Sequence, residues 1–206
     1  MKNLLFLLAS VLGFTVTSYA QTSYGIKTGV TFPKITATWD GGSLTGKAGT
    51  NFFLTGYADI NIAPNLSIQP GLSLQGKGTK AFSLGLDEEF QDDDKISLMY
   101  LELPVNFVYY IPAGSGNLFL GAGPYVGYGL SAKFSNEDES ESGSFDKFNL
   151  SAFDAGLNFL GGYKLSNGFL INAGYGLGLT NMVNDTEGVD GALKNRVFSV
   201  GVGFQF

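Results

Sequence analysis

From Tyr24 to Phe206 the chain alternates apolar residues with small or polar ones, in long runs punctuated by turn residues. A period of two is the mark of strands with a single apolar face. The runs predict eight strands, near 24–35, 48–62, 66–77, 96–110, 117–133, 150–164, 168–182 and 195–206. The connections between them alternate strictly in length. Ala63-Pro64-Asn65, Pro112 to Gly116, and Ser166-Asn167 with Gly168 following are short, whereas 36–47, 78–95, 134–149 and 183–194 are long. Both chain ends therefore fall on the short-turn side. An even strand number, runs of ten or more residues and this loop asymmetry predict an all-β fold, an eight-stranded antiparallel up-and-down barrel that crosses a membrane.

Charge placement tests that reading independently. Of the 18 acids, 15 lie in the four long connections: Asp40; Asp87, Glu88, Glu89 and Asp92 to Asp94; Glu137, Asp138, Glu139, Glu141 and Asp146; Asp185, Glu187 and Asp190. A water-soluble barrel would spread charge over every exposed strand face. Facing agrees. Phe198, Val200, Val202, Phe204 and Phe206 share one side of the last run, Phe153, Ala155, Leu157 and Phe159 one side of the sixth, and Leu66, Ile68, Leu72 and Leu74 one side of the third. These are expected toward lipid, with the small and polar partners toward the lumen. Tyr24, Phe52, Tyr109, Tyr128, Phe153, Tyr163, Phe169 and Phe206, near strand ends, are expected to form interfacial girdles.

The same alternation turns Asp59, Glu102 and Asp154 inward, together with Lys27, Lys77, Lys133 and Lys164. Eight strands enclose a space that side chains fill, and an unpaired buried charge costs several kcal/mol. A packed lumen charge network is therefore expected rather than an open pore. The first twenty residues read as a cleaved secretory signal. Lys2 opens it, Leu4 to Val16 is mostly apolar, and Ser18-Tyr19-Ala20 places small residues ahead of Gln21. That leaves the barrel as 21–206, with 11 basic against 18 acidic residues.

Composition narrows function by exclusion. The chain has 206 residues, 30 Gly, 15% charged residues and neither Cys nor His. Glycine at that frequency disfavours helices. Without Cys or His there is no thiol nucleophile, no disulfide, no conventional zinc site and no histidine base. A net charge of −6 opposes nucleic-acid binding. Gly121-Ala122-Gly123 and Gly174 to Gly178 sit within strands with no helix to follow, so they are not phosphate loops. The runs Asp87 to Asp94 and Asn136 to Glu141 lack the spacing of a shaped calcium loop. Tyr100 and Glu102 share a strand face without a cleft. No catalytic, metal or cofactor site is expected.

Several segments also resemble a known family: GIKTGVTF (25–32), IQPGLSLQGKGTK (68–80), YLELPVNFVYYI (100–111), LFLGAGPYVGYGL (118–130), FDAGLNFLGGYKL (153–165) and KNRVFSVGVGFQF (194–206). In order, and over about 24–206, they are similar to the PorT-like outer-membrane β-barrels of Bacteroidota. The most specific pieces are Tyr100-Leu101-Glu102-Leu103-Pro104 and the Gly121, Gly123, Pro124, Tyr125 strand. The resemblance implies an eight-stranded barrel in the outer membrane of a Gram-negative cell and no catalytic set.

Taken together, the residues predict a small non-enzymatic outer-membrane barrel with periplasmic termini, presenting acidic external loops in a structural or interaction role. The alternative is a narrow porin, or an accessory barrel of an uptake or secretion complex. The partners expected are outer-membrane lipid and lipopolysaccharide, the barrel-assembly machinery, which would read the terminal Phe206, and an outer-membrane protein complex.

Overall fold

The computed structural model describes residues 22–80, 95–136, 139–183 and 191–206. The signal segment 1–20 and the acids Asp87 to Asp94, Glu137, Asp138, Asp185, Glu187 and Asp190 lie outside them. Ten strands form one antiparallel sheet: β1 (Thr22–Trp39), β2 (Gly42–Thr45), β3 (Asn51–Ala63), β4 (Leu66–Lys80), β5 (Lys95–Ala113), β6 (Gly116–Ser135), β7 (Ser140–Gly143), β8 (Phe153–Lys164), β9 (Phe169–Gly178) and β10 (Gly191–Gln205). Eight of them close a ring in the order β1-β3-β4-β5-β6-β8-β9-β10, and β10 returns to β1 from Gly25↔Gln205 to Trp39↔Gly191. Closure leaves no strand edge to pair with water, which is the condition for a sheet to cross lipid.

The eight expected strands are present, and the differences are at their ends. β2 and β7 pair with the upper parts of β1 and β6, so two of the long connections carry ladder of their own. The sixth run starts at Phe153 rather than near 150, because Asp146–Phe148 forms a 3-10 turn closed by Asn149 in the left-handed region (φ 53°). The seventh ends at Gly178. At the short-turn end, Gly168 (φ 91°) turns β8 into β9 and receives the amide of Gln205 on its carbonyl. Tyr24 and Phe206 exchange backbone hydrogen bonds there, so both described chain ends share the short-turn side.

Leu66, Ile68, Leu72 and Leu74 face out, and Ser67, Gln69, Ser73 and Gln75 face in, a division that recurs around the ring. The interior is layered. At the long-connection end Ile35, Ala37, Leu98, Tyr100, Ala132, Phe145 and Met182 form an apolar cluster. At the short-turn end Val108, Phe119 and Leu170 form a second. Polar and charged side chains lie between them.

Candidate functional site

Two charge clusters occupy that middle layer. Glu102, Gly127 and Asp154 stand side by side in one cross-strand row of β5, β6 and β8. Gly127 sits between the two acids, and a Cβ there would come within 3.1 Å of Glu102 Cγ, so its missing side chain lets the carboxylates converge. Lys77 reaches down from β4 and bridges both, at 2.5 Å to Glu102 Oε1 and 2.6 Å to Asp154 Oδ2. All three are almost fully buried. Asp154 is the better supported acid. Thr180 donates to its Oδ1 at 2.7 Å, and Tyr125 and Asn195 approach Oδ2 at 3.3 Å each. The Lys77 ammonium also lies over the Tyr125 ring, 4.3 Å from its centroid.

The second cluster lies nearer the short turns. Asp59 Oδ2 accepts hydrogen bonds from Gln69 Nε2 at 2.9 Å and from the Tyr110 hydroxyl. Lys27 donates to Gln69 Oε1 at 3.3 Å and stacks on Tyr57, 4.2 Å from its ring centre. Tyr57 in turn reaches Gln205, which donates to Ser23 Oγ at 2.6 Å, so the cluster is tied to the seam that closes the barrel. Between the two clusters lies a cavity of about 100 Å³ whose lining includes Lys27, Ser73, Lys77, Glu102, Asn106 and Asn172. The side-chain oxygens of Asn106 and Asn172 have no protein partner. The space is polar and large enough for ordered water, which would satisfy those oxygens.

The seven charges expected in the lumen do not share one network. Lys77, Glu102 and Asp154 are brought together as an ion-paired triad. Asp59 and Lys27 meet only through Gln69. Lys164 is half-buried at the short-turn mouth, with its ammonium 4.6 Å from the Tyr110 ring centre. Lys133 is the correction: it faces outward and is exposed. Met99 pairs with Ser131 and Tyr100 with Gly129, so Leu130 is an extra residue in β6. That bulge inverts the pleat beyond it, which places Ala132 inside and Lys133 outside.

Sequence reasoning missed the uncharged partners. Gln69, Tyr110, Tyr125 and Asn195 could have been found by the alternation that located the acids. Thr180 lies past the end of β9, where no periodicity marks it. Phe145 gave no signal either, since it sits in an acidic connection yet is buried against Tyr100, 5.1 Å between ring centres. Phe206 lies on the outward face at the seam. Among the described residues no group of three or more Asp and Glu side chains is placed to hold a metal ion.

Residues 17–184 match the family described as outer membrane protein beta-barrel domain. No curated protein matches the chain. Among solved structures, Ail, the attachment invasion locus protein of Yersinia pestis, is 17% identical, with 92% of this chain and 100% of Ail covered at a TM-score of 0.43. Neisserial surface protein A is 16% identical, covering 90% and 99% at 0.47. A major outer membrane protein of Thermus thermophilus is 12% identical, covering 90% and 100% at 0.49.

Proposed function

The chain belongs to the outer membrane protein beta-barrel domain family, and from that premise we propose that it is a sealed outer-membrane barrel with a structural or interaction role. The observation that carries this reading is the layered interior. Phe145, Met182, Leu98 and Tyr100 fill one end, Val108, Phe119 and Leu170 fill the other, and the space between is largely taken by the Lys77 and Asp59 clusters. A lumen packed in this way is a wall rather than a passage. What the molecule then offers its surroundings is its outer faces and its long, acid-rich connections.

In this reading residues 1–20 are a signal removed before Gln21, the termini and short turns lie in the periplasm, and the long connections lie outside the cell. Phe206 on the outward face supplies the terminal aromatic for the assembly machinery. The Tyr100 to Pro104 and Gly121 to Tyr125 segments support a place among the PorT-like barrels of Gram-negative Bacteroidota. No described residue of the interior is arranged as nucleophile and base around a cleft, which favours a non-enzymatic role. The second reading, a narrow porin or accessory barrel, has one observation in its favour, the polar cavity of about 100 Å³.

Planar-bilayer recording of the purified protein separates the two. A sealed barrel gives no steady channels in 1 M salt. Large, steady, salt-dependent conductance means that the lumen is open and transport is the function.

A further inference from the structure

The lining of the cavity between the two clusters is unbalanced in charge. Its charged side chains are Lys27, Lys77 and Glu102. Glu102 is taken up by Lys77 at 2.5 Å, which leaves the Lys27 ammonium without a counterpart on that wall. Lys27 is 9% exposed. Among the described residues it makes no ion pair, those present being the Lys77 pairs and Lys147–Glu141. Its contacts are Gln69 Oε1 at 3.3 Å and the rings of Tyr57 and Phe119, 4.2 and 5.8 Å from their centres. Gln69 donates from its other end to Asp59, so an amide stands between that carboxylate and the ammonium. One long bond and two ring faces neither use all three N–H donors nor cancel the charge. A buried charge without a contacting counterion is strongly unfavourable.

The neighbouring wall offers neutral donors. Lys27, Thr55, Ser73 and Glu102 follow one another in a single cross-strand row of β1, β3, β4 and β5. Thr55 Oγ1 and Ser73 Oγ are 2.7 Å apart, and both residues line the cavity. One hydroxyl donates to the other, so the acceptor keeps its own O–H for a third group. Asn106 is 8% exposed, lines the same space, and has a side-chain oxygen with no protein partner. A half turn of that carboxamide puts an N–H donor where the oxygen stands, with no change of shape. Water in the cavity would bond to these groups and still leave the Lys27 charge unmatched. A small anion accepts from the ammonium, the hydroxyl and the amide, and cancels the charge.

We propose that this cavity is a site for one small monovalent anion of the halide class, held by the Lys27 ammonium with the Thr55–Ser73 hydroxyl pair and the Asn106 amide as neutral donors. At about 100 Å³ the space takes a dehydrated halide and excludes a large organic anion. Apolar clusters close both ends of the lumen, so the anion enters as the barrel folds. The site goes beyond the sealed-barrel reading and is tested apart from it: steady channels in a bilayer would overturn that reading and leave the site in place.

The test refolds the full-length barrel from urea into uncharged micelles in sodium bromide, sodium chloride or sodium gluconate at equal concentration. Unfolding by urea is then read by gel mobility. A ligand that binds only the folded state lowers the unfolding constant by one plus the ratio of its concentration to Kd. With a Kd on the order of 10 mM, roughly 0.1 M bromide or chloride should lower it about tenfold relative to gluconate. Lys27→Met should abolish that difference and Asn106→Leu should reduce it. Crystals grown in bromide should show anomalous scattering beside Lys27 Nζ. Equal unfolding constants in the three salts, an unchanged halide effect in Lys27→Met, or a cavity holding water only overturns the proposal. A bromide peak with equal unfolding constants marks an adventitious ion only and overturns it as well. Where Lys27→Met yields no folded barrel, the salt comparison and the bromide peak in the unaltered chain decide the matter.

Discussion

At the scale of single residues, Lys77 is the side chain on which the interior turns. It alone stands between two buried carboxylates, so its removal leaves two negative charges close together out of water. Lys77→Met should cost about 3–5 kcal/mol, the range for breaking a buried ion pair from one side. Glu102→Leu should cost clearly less, because Lys77 keeps Asp154 at 2.6 Å and Asp154 keeps Thr180, Asn195 and Tyr125. Urea titration of the folded barrel in detergent, read by gel mobility, checks the order. Equal losses would make Glu102 the principal partner. The inward direction of Lys77, Glu102 and Asp154 was legible from alternation. Their partnership was not, because the strands that carry them meet in a register that the sequence does not print, and because Gly127 makes the room for it. Lys27 shows the same limit: it points inward as expected but ends on Gln69 and the Tyr57 ring rather than on a carboxylate.

At the scale of elements, strand number and order follow from the strict alternation of short and long connections. Strand ends and one reversal of facing do not. The bulge at Leu130 has no glycine or proline of its own to announce it. It is set by how β5 and β6 pair above Gly129, where Phe145 occupies the space a side chain would need: a Cβ on Gly129 would come within 2.3 Å of its ring. Lys133 therefore stands on the outer face, and the local cue, Gly129 beside the bulge, looks no different in sequence from Gly121, Gly123 and Gly127 of the same strand. The closing strand gives a sharper expectation. β10 pairs with β1 over 15 residue pairs, from Gly25↔Gln205 to Trp39↔Gly191. Removing Val202 to Phe206 frees the backbone of Gly25 to Thr28 within lipid, where each unsatisfied group costs several kcal/mol. Such a variant should fail to insert and should be digested by added protease. Normal insertion with protease resistance would show that closure does not need those residues.

At the scale of the whole molecule, the ring is taller than a bilayer requires. β1, β5 and β6 run to 18, 19 and 20 residues, against the roughly 9–11 that cross the hydrocarbon. The surplus lies at the long-connection end and encloses the Phe145 cluster, much as a water-soluble barrel encloses its core. Among the described residues charge follows the same axis, with Asp40, Glu139, Glu141 and Asp146 in the connections, bases near the strand ends beneath them, apolar residues on the belt, and ion pairs inside. That ordering was visible in the sequence wherever facing holds a strict period of two. It was hidden where connections re-enter the barrel, as at Phe145 and Met182. The chain has no cysteine, so single thiols introduced along β4 report on one position at a time in reconstituted vesicles. At Leu66, Ile68, Leu72 and Leu74 they should be reached by a lipid-phase probe. At Ser67, Gln69, Ser73 and Gln75 they should be reached neither by that probe nor by a water-soluble thiol reagent, if the apolar clusters at the two ends close the lumen as proposed. Rapid modification of Ser73→Cys and Gln69→Cys by the water-soluble reagent, or loss of the two-residue period, would contradict a sealed transmembrane barrel.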